Sequence, residues 1–138
     1  MSKCSILLVD DNEEFLSIFS CWLTRRGFSV TATSNPPTAL AEAANSKFDL
    51  AIIDMNLPEM SGLELIDQLK RIVELPTIVL SGDDNPRLFN SAMDRGVFRY
   101  LLKPVSMRTV ENVICEILQD ATAASAHLTS NAKLESIS

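Results

Sequence analysis

Eight of the eighteen acidic residues in this chain fall just after three apolar runs. Asp10, Asp11, Glu13 and Glu14 follow Ser5–Val9 (SILLV), Asp54 and Glu59 follow residues 50–53 (LAII), and Asp83 and Asp84 follow residues 77–80 (TIVL). A weaker run, residues 98–102 (FRYLL), is followed by Lys103-Pro104. If those runs are neighbouring strands of one sheet, Asp10, Asp11, Asp54, Ser81 and Lys103 meet at a single mouth. Three carboxylates in a small volume raise one another's pKa unless a cation compensates. Lys103 supplies one positive charge, and a divalent ion would supply two more and leave the site neutral. Every candidate ligand is an oxygen, which favours Mg2+ or Mn2+ over Zn2+; Mg2+ keeps several waters and takes phosphate oxygens readily. Singly, each piece has a plainer reading. Asp11 or Asn12 can cap a helix, Asp54 can open a turn before Leu57-Pro58, and Ser81-Gly82 and Lys103-Pro104 can be surface turns. Their joint placement at successive strand ends argues for chemistry.

The elements that must position these groups are legible from periodicity. The three short continuous runs are rich in branched side chains and read as strands buried on both faces, as in a parallel sheet. Ser29–Thr33 (SVTAT) and residues 98–102 read as more exposed strands. Between them lie helical patterns. Phe15, Phe19, Trp22 and Leu23 recur at helical spacing before Gly27, and Pro36-Pro37 after Asn35 opens a second helix with Leu40, Ala43 and Ala44 on one face. Ser61 with Glu64 makes a capping box ahead of Leu63, Ile66 and Leu69. Leu88, Phe89, Ala92 and Met93 form a short helix stopping at Gly96, and Val110, Val113, Ile114, Ile117 and Leu118 form the clearest stripe. Strand–helix alternation repeated five times predicts an α/β fold: a doubly wound parallel sheet with helices on both faces and right-handed crossovers. In such sheets ligands bind beyond the carboxyl ends of the strands, where the acids cluster.

Composition narrows the class. The chain has 138 residues, 46% of them hydrophobic, and a net charge of −6. That is enough for one domain with a real core. The acidic balance disfavours direct nucleic-acid binding. The longest uncharged stretch, residues 27–41, is too short for a membrane span and contains Pro36 and Pro37. No signal-peptide pattern is expected at the N-terminus, and Cys4, Cys21 and Cys115, odd in number and widely spaced, suit a reduced, cytoplasmic setting. Residues 1–121 read as the domain and residues 122–138, poor in large apolar side chains, as a frayed helix end and mobile tail.

Taken together, Leu8-Val9-Asp10-Asp11-Asn12, the stretch from Asp54 to Gly62 (DMNLPEMSG), Ser81-Gly82 and Tyr100-Leu101-Leu102-Lys103-Pro104 match a family in order and spacing. The chain resembles the receiver domain of two-component response regulators from Lys3 to about Ala121. The resemblance implies a flavodoxin-like five-stranded sheet of order 2-1-3-4-5 with five helices. It implies that Asp54 accepts a phosphoryl group from a histidine kinase or histidine phosphotransfer protein. Asp11, Asp54 and the Asn56 carbonyl would hold Mg2+, with Asp10 acting through a metal-bound water. Lys103 and Ser81 would contact phosphoryl oxygens, and the peptide before Pro104 would be cis. Ser81 and Tyr100 would form a switch, with Tyr100 rotating from an exposed to a buried position, and Asn56 and Asp83 would tune hydrolysis to an intermediate lifetime. The expected activity is limited to self-phosphorylation and self-dephosphorylation. The face formed by the fourth helix, fifth strand and fifth helix, with Arg87, Arg95, Arg99 and Arg108, would take a downstream protein or a second copy. His127, the only histidine, is not a plausible phosphodonor.

Two other classes compete. Haloacid-dehalogenase-type phosphatases also combine an aspartate nucleophile, Ser or Thr, Lys and acids around Mg2+. Their nucleophile lies after the first strand and a second acid follows two residues on, where this chain has Asn56. A nucleotide-binding module would need a glycine-rich loop after the first strand, where Asp10-Asp11 stand.

Overall fold

A computed structural model describes the backbone over residues 3–130 and the side chains over residues 3–120. Five strands and five helices alternate: β1 (Ser5–Val9), α1 (Glu13–Arg25), β2 (Ser29–Thr33), α2 (Pro36–Asn45), β3 (Leu50–Asp54), α3 (Gly62–Lys70), β4 (Thr77–Ser81), α4 (Pro86–Asp94), β5 (Arg99–Leu102) and α5 (Met107–Ser130). All strand pairs are parallel and the order is β2-β1-β3-β4-β5.

The alternation of side chains along the central strands divides the core into two layers. Ile6, Leu8, Leu50, Ile52, Ile78 and Leu80 point to one face, where α1 brings Leu16, Phe19 and Leu23 and α5 brings Val110, Val113, Ile114 and Ile117. Leu7, Val9, Ala51, Ile53 and Val79 point to the other, against Ala39 and Ala43 of α2, Leu65, Ile66 and Leu69 of α3 and Ala92 of α4. Strands β3 and β4 are buried at every position, whereas β2 and the edge strand β5 are part-exposed, as their composition predicts.

Each helix start lies where the sequence places a capping side chain. Asn12 accepts from Phe15 N–H at 3.0 Å, Asn35 from Thr38 N–H at 2.8 Å and Ser61 from Glu64 N–H at 3.1 Å. Of the two candidate caps for α1, Asn12 therefore takes the role and Asp11 is left for the site. Gly27 and Gly96, at φ 97° and 82°, end α1 and α4 in the left-handed region that glycine adopts freely.

Three details differ from the sequence reading. On α2 the buried residues are Pro36, Ala39 and Ala43, with Leu40 packed beside them and Ala44 exposed, because the face turned to the sheet follows the 36–39–40–43 row rather than the 40–43–44 row. On α4 only Ala92 is buried; Phe89 and Met93 remain 42% and 39% exposed, with no element among the described residues covering that side. Strand β5 begins at Arg99 rather than Phe98. Helix α5 runs to Ser130, within the stretch read as a frayed helix end and tail, and residues 131–138 of that stretch lie outside the described residues. Among the described residues no helix is long and apolar enough to cross a membrane.

Candidate functional site

The strand order places β1 between β2 and β3, so the chain leaves the ends of β1 and β3 toward opposite faces of the sheet. The crevice opened there is the topological switch point of a doubly wound sheet. Asp10 follows β1 directly, and Asp54 is the last residue of β3. Ser81 ends β4, and Lys103 follows β5. Both are tied into the sheet edge, with Lys103 N–H donating to the Ser81 carbonyl at 2.8 Å. The Lys103-Pro104 peptide is cis, as the resemblance implies.

Asp10 is fully buried. Its Oδ1 accepts from Asn12 N–H at 2.9 Å and its Oδ2 from Lys103 Nζ at 2.9 Å. Asp54, 3% exposed, accepts from Asn56 N–H at 3.4 Å, and the same Oδ1 lies 3.5 Å from Lys103 Nζ. Asp11 is exposed at the rim, and Asp10, Asp11 and Asp54 each offer a carboxylate oxygen within 4.8 Å of the others. Burial, and then the neighbouring charge of Asp10, push the Asp54 carboxyl up to about 6 against the opposing pull of Lys103. Burial alone would lower the Lys103 pKa. Its hydrogen bond to Asp10 and the charges of Asp10 and Asp54 outweigh that, so it is raised and the ammonium is held. Three acids against one lysine leave two negative charges uncompensated. A hard divalent cation fits this donor set, since all three groups are carboxylate oxygens. A cleft of about 350 Å³ lined by Asp11, Asn56, Glu59 and Ser61, among others, opens beside the acids.

The loop from β3 to α3 folds tightly back over Asp54. Gly62 donates its N–H to the Met55 carbonyl at 2.8 Å, and a Cβ there would lie 2.7 Å from the Asp54 carbonyl oxygen and 2.8 Å from Met55 Cα. Only glycine permits that approach.

On the β4 side, buried Ser81 donates its hydroxyl to the Asp83 carbonyl at 3.2 Å and accepts from Asp83 N–H at 3.0 Å. Tyr100 is half-buried, and its hydroxyl donates to that same Asp83 carbonyl at 2.9 Å while its ring meets Phe89 edge-on at 5.5 Å. The Asp83 carboxylate accepts from Asn85 N–H at 2.9 Å, so this side chain is engaged in the loop.

These contacts join the acid cluster to a family assignment. Residues 6–115 match the response regulator receiver domain. The chain belongs to that family. A two-component response regulator of Arabidopsis thaliana is 34% identical over 110 residues, covering 78% of this chain and 20% of its own length. Among solved structures, a CheY-like response regulator receiver domain protein from Methanospirillum hungatei superposes with a TM-score of 0.85 at 27% identity, covering 89% of this chain and 99% of that one. A response regulator protein from Burkholderia pseudomallei, crystallised with a phosphorylated aspartic acid, calcium ion and citrate, superposes with a TM-score of 0.77 at 29% identity over 90% of this chain and 74% of that one. The receiver spans about a fifth to a third of the length of the curated relatives it matches. The acidic triad of this receiver is a site that could hold a metal ion.

Asp10, Asp54 and Lys103 thus meet directly and Asp11 and Asn56 line the adjoining cleft, while Ser81, Asp83 and Tyr100 meet one another through a backbone carbonyl. Of the four arginines expected on the α4–β5–α5 face, Arg95 turns away to pair with Asp67 of α3 at 2.9 Å and Arg99 pairs with Glu116 at 2.9 Å. Arg87 and Arg108 stay exposed, with no ion pair among the described residues. Sequence reasoning missed two contributors. Gly62 closes the stretch that matches the family, but its close approach to the Asp54 backbone is not legible there. Phe15 was read as core, yet Lys103 Nζ lies 4.9 Å from its ring centroid.

Proposed function

We propose that this receiver is a phosphoacceptor switch in a two-component phosphorelay. A carboxylate oxygen of Asp54 attacks the phosphorus of a phosphohistidine on a histidine kinase or histidine phosphotransfer protein. The P–O bond forms as the P–N bond breaks, and the leaving imidazole takes up a proton. Such a transfer depends on positioning and on neutralising charge at the phosphoryl oxygens. Asp11, Asp54 and the Asn56 carbonyl would hold Mg2+, or Mn2+ in its place, with Asp10 acting through an intervening water; when bound, the ion supplies that neutralisation together with the Lys103 ammonium. Ser81 supplies a hydroxyl to a second oxygen.

The observation that carries this reading is the Asp10–Lys103–Asp54 constellation, with Lys103 Nζ 2.9 Å from one acid and 3.5 Å from the other at the switch point. The phosphorylated aspartic acid of the Burkholderia pseudomallei neighbour supports it. The signal then leaves through the Asp83 carbonyl. When the Ser81 hydroxyl turns to the phosphoryl group it leaves the Asp83 carbonyl, and Tyr100 gives up the same carbonyl and its edge contact with Phe89 to rotate from its half-buried position to a buried one. The α4–β5–α5 surface around Tyr100 then takes a downstream protein or a second copy. Asn56 and the Asp83 position set an intermediate hydrolysis rate.

Incubation with acetyl phosphate and Mg2+ followed by intact mass tests the reading. The chain gains one phosphoryl group and the Asp54→Asn variant gains none; gain by both, or by neither, refutes it. Sustained release of phosphate from p-nitrophenyl phosphate would instead favour a phosphatase.

A further inference from the structure

Lys103 has to release Asp10 at least in part to meet an incoming phosphoryl oxygen, while staying aimed at the site. Two of its neighbours are carboxylates, Asp10 at 2.9 Å and Asp54 at 3.5 Å. The other is the ring of Phe15, whose centroid is 4.9 Å from Nζ. That ring is itself fixed. It stacks on Phe19 with centroids 4.6 Å apart and planes 22° from parallel, and Phe19 is 2% exposed within the α1–α5 core layer. Phe15 also lines an apolar hollow with Pro104 and Val105, beside the cis peptide that follows Lys103.

We propose that Phe15 is a positioning residue for phosphoryl acceptance: its ring face, anchored by Phe19, guides the Lys103 ammonium from Asp10 toward the phosphoryl group on Asp54. The inference rests on the phosphoacceptor reading above. Its physical basis is the form of the attraction. A ring quadrupole attracts a cation without accepting a linear hydrogen bond, so the ammonium can slide beneath it while its N–H groups change partners. A water or polar side chain in the same place would take an N–H and would have to be displaced during the transfer.

The test is a double-mutant cycle on the full chain, read as the rate of phosphoryl gain from acetyl phosphate at saturating Mg2+. Acetyl phosphate is a small donor, so loss of a protein docking contact does not enter. Phe15→Leu, which keeps an apolar side chain and removes the ring, lowers the rate about three- to tenfold. Phe15→Tyr restores it to within about twofold, since the ring face is kept. In a Lys103→Met background, Phe15→Leu has no further effect. The same cycle read as beryllofluoride affinity in the presence of Mg2+ gives the answer where Lys103→Met reacts too slowly to time. An unchanged rate in Phe15→Leu, a failure of Phe15→Tyr to restore it, or an equal loss in the Lys103→Met background would overturn the proposal while leaving the phosphoacceptor reading intact. If the unaltered chain itself neither gains a phosphoryl group nor binds beryllofluoride, that reading fails and the role of Phe15 falls with it.

Discussion

Asp10, Asp54 and Lys103 stand against the layer built by α1 and α5, in which seven side chains of those two helices are buried among the described residues. Ser81, Asp83 and Tyr100 stand against α4, which buries only Ala92. The first group is joined by side-chain ion pairs at the centre of the sheet, the second by hydrogen bonds to one backbone carbonyl in a loop at its edge. Chemistry that needs fixed distances is placed on the densely packed side. A response that needs movement is placed where little apolar contact has to be broken. The Ser81 hydroxyl bonds to the Asp83 loop, and on the proposed reading it would also reach the phosphoryl group on Asp54.

The largest expected effect sharpens the contrast in packing. Leu23→Ala in α1, at a fully buried position, destabilises the fold by about 2–5 kcal/mol in urea unfolding, whereas Phe89→Ala in α4 costs about 1 kcal/mol or less. Equal losses would show that α4 is held as firmly as α1.

Gly62→Ala tests how tightly the acceptor side is built. A methyl group 2.7 Å from the Asp54 carbonyl oxygen pushes against backbone rather than a movable side chain. The expected loss is about 1–3 kcal/mol with a fall in phosphoryl gain from acetyl phosphate.

The third prediction concerns charge. In the fold the Asp54 carboxyl is raised to about 6 from an ordinary 3.8, so ionising it opposes folding. The associated stability is fully present below about pH 4 and is lost as pH rises through about 6. Metal-free Asp54→Asn is therefore more stable than the unaltered chain by about 1–3 kcal/mol at pH 7.5, and no more stable at pH 4. Saturating Mg2+ narrows or reverses the difference, because the cation stabilises only the form that binds it well. Thermal unfolding at the two pH values, with and without Mg2+, measures all three. A variant no more stable at pH 7.5 would mean that Lys103 already balances the site.

The smallest effect is on the readout side. Tyr100→Phe removes one donor from the Asp83 carbonyl and lowers stability by about 0.5–1.5 kcal/mol. Its rate of phosphoryl gain stays unchanged while the chemical-shift response of α4 to beryllofluoride is diminished. An altered acceptance rate would show that the two sides of the mouth are not separable.

The sequence alone determined the alternation of elements, because buried parallel strands must be continuously apolar and the helices between them must carry a 3.6-residue stripe. It also determined that Asp10, Asp11, Asp54, Ser81 and Lys103 lie at one edge, since every strand of a parallel sheet ends at the same side. Capping was legible for the same local reason: an Asn or Ser meets an N–H only two or three residues ahead. Three features were decided by the tertiary structure. The face that α2 turns to the sheet was set by packing in the Leu7–Val9–Ala51 layer, which put Ala39 rather than Ala44 in the core. Arg95 was assigned to an outer face until the proximity of α3 gave it Asp67. Phe15 looked like any apolar residue of a helical stripe, and its approach to Lys103 depends on a crossover that joins residues 88 positions apart. Local pattern records which face of an element is apolar; which charged group that face meets is set by contacts between distant segments, and only the packed chain contains them.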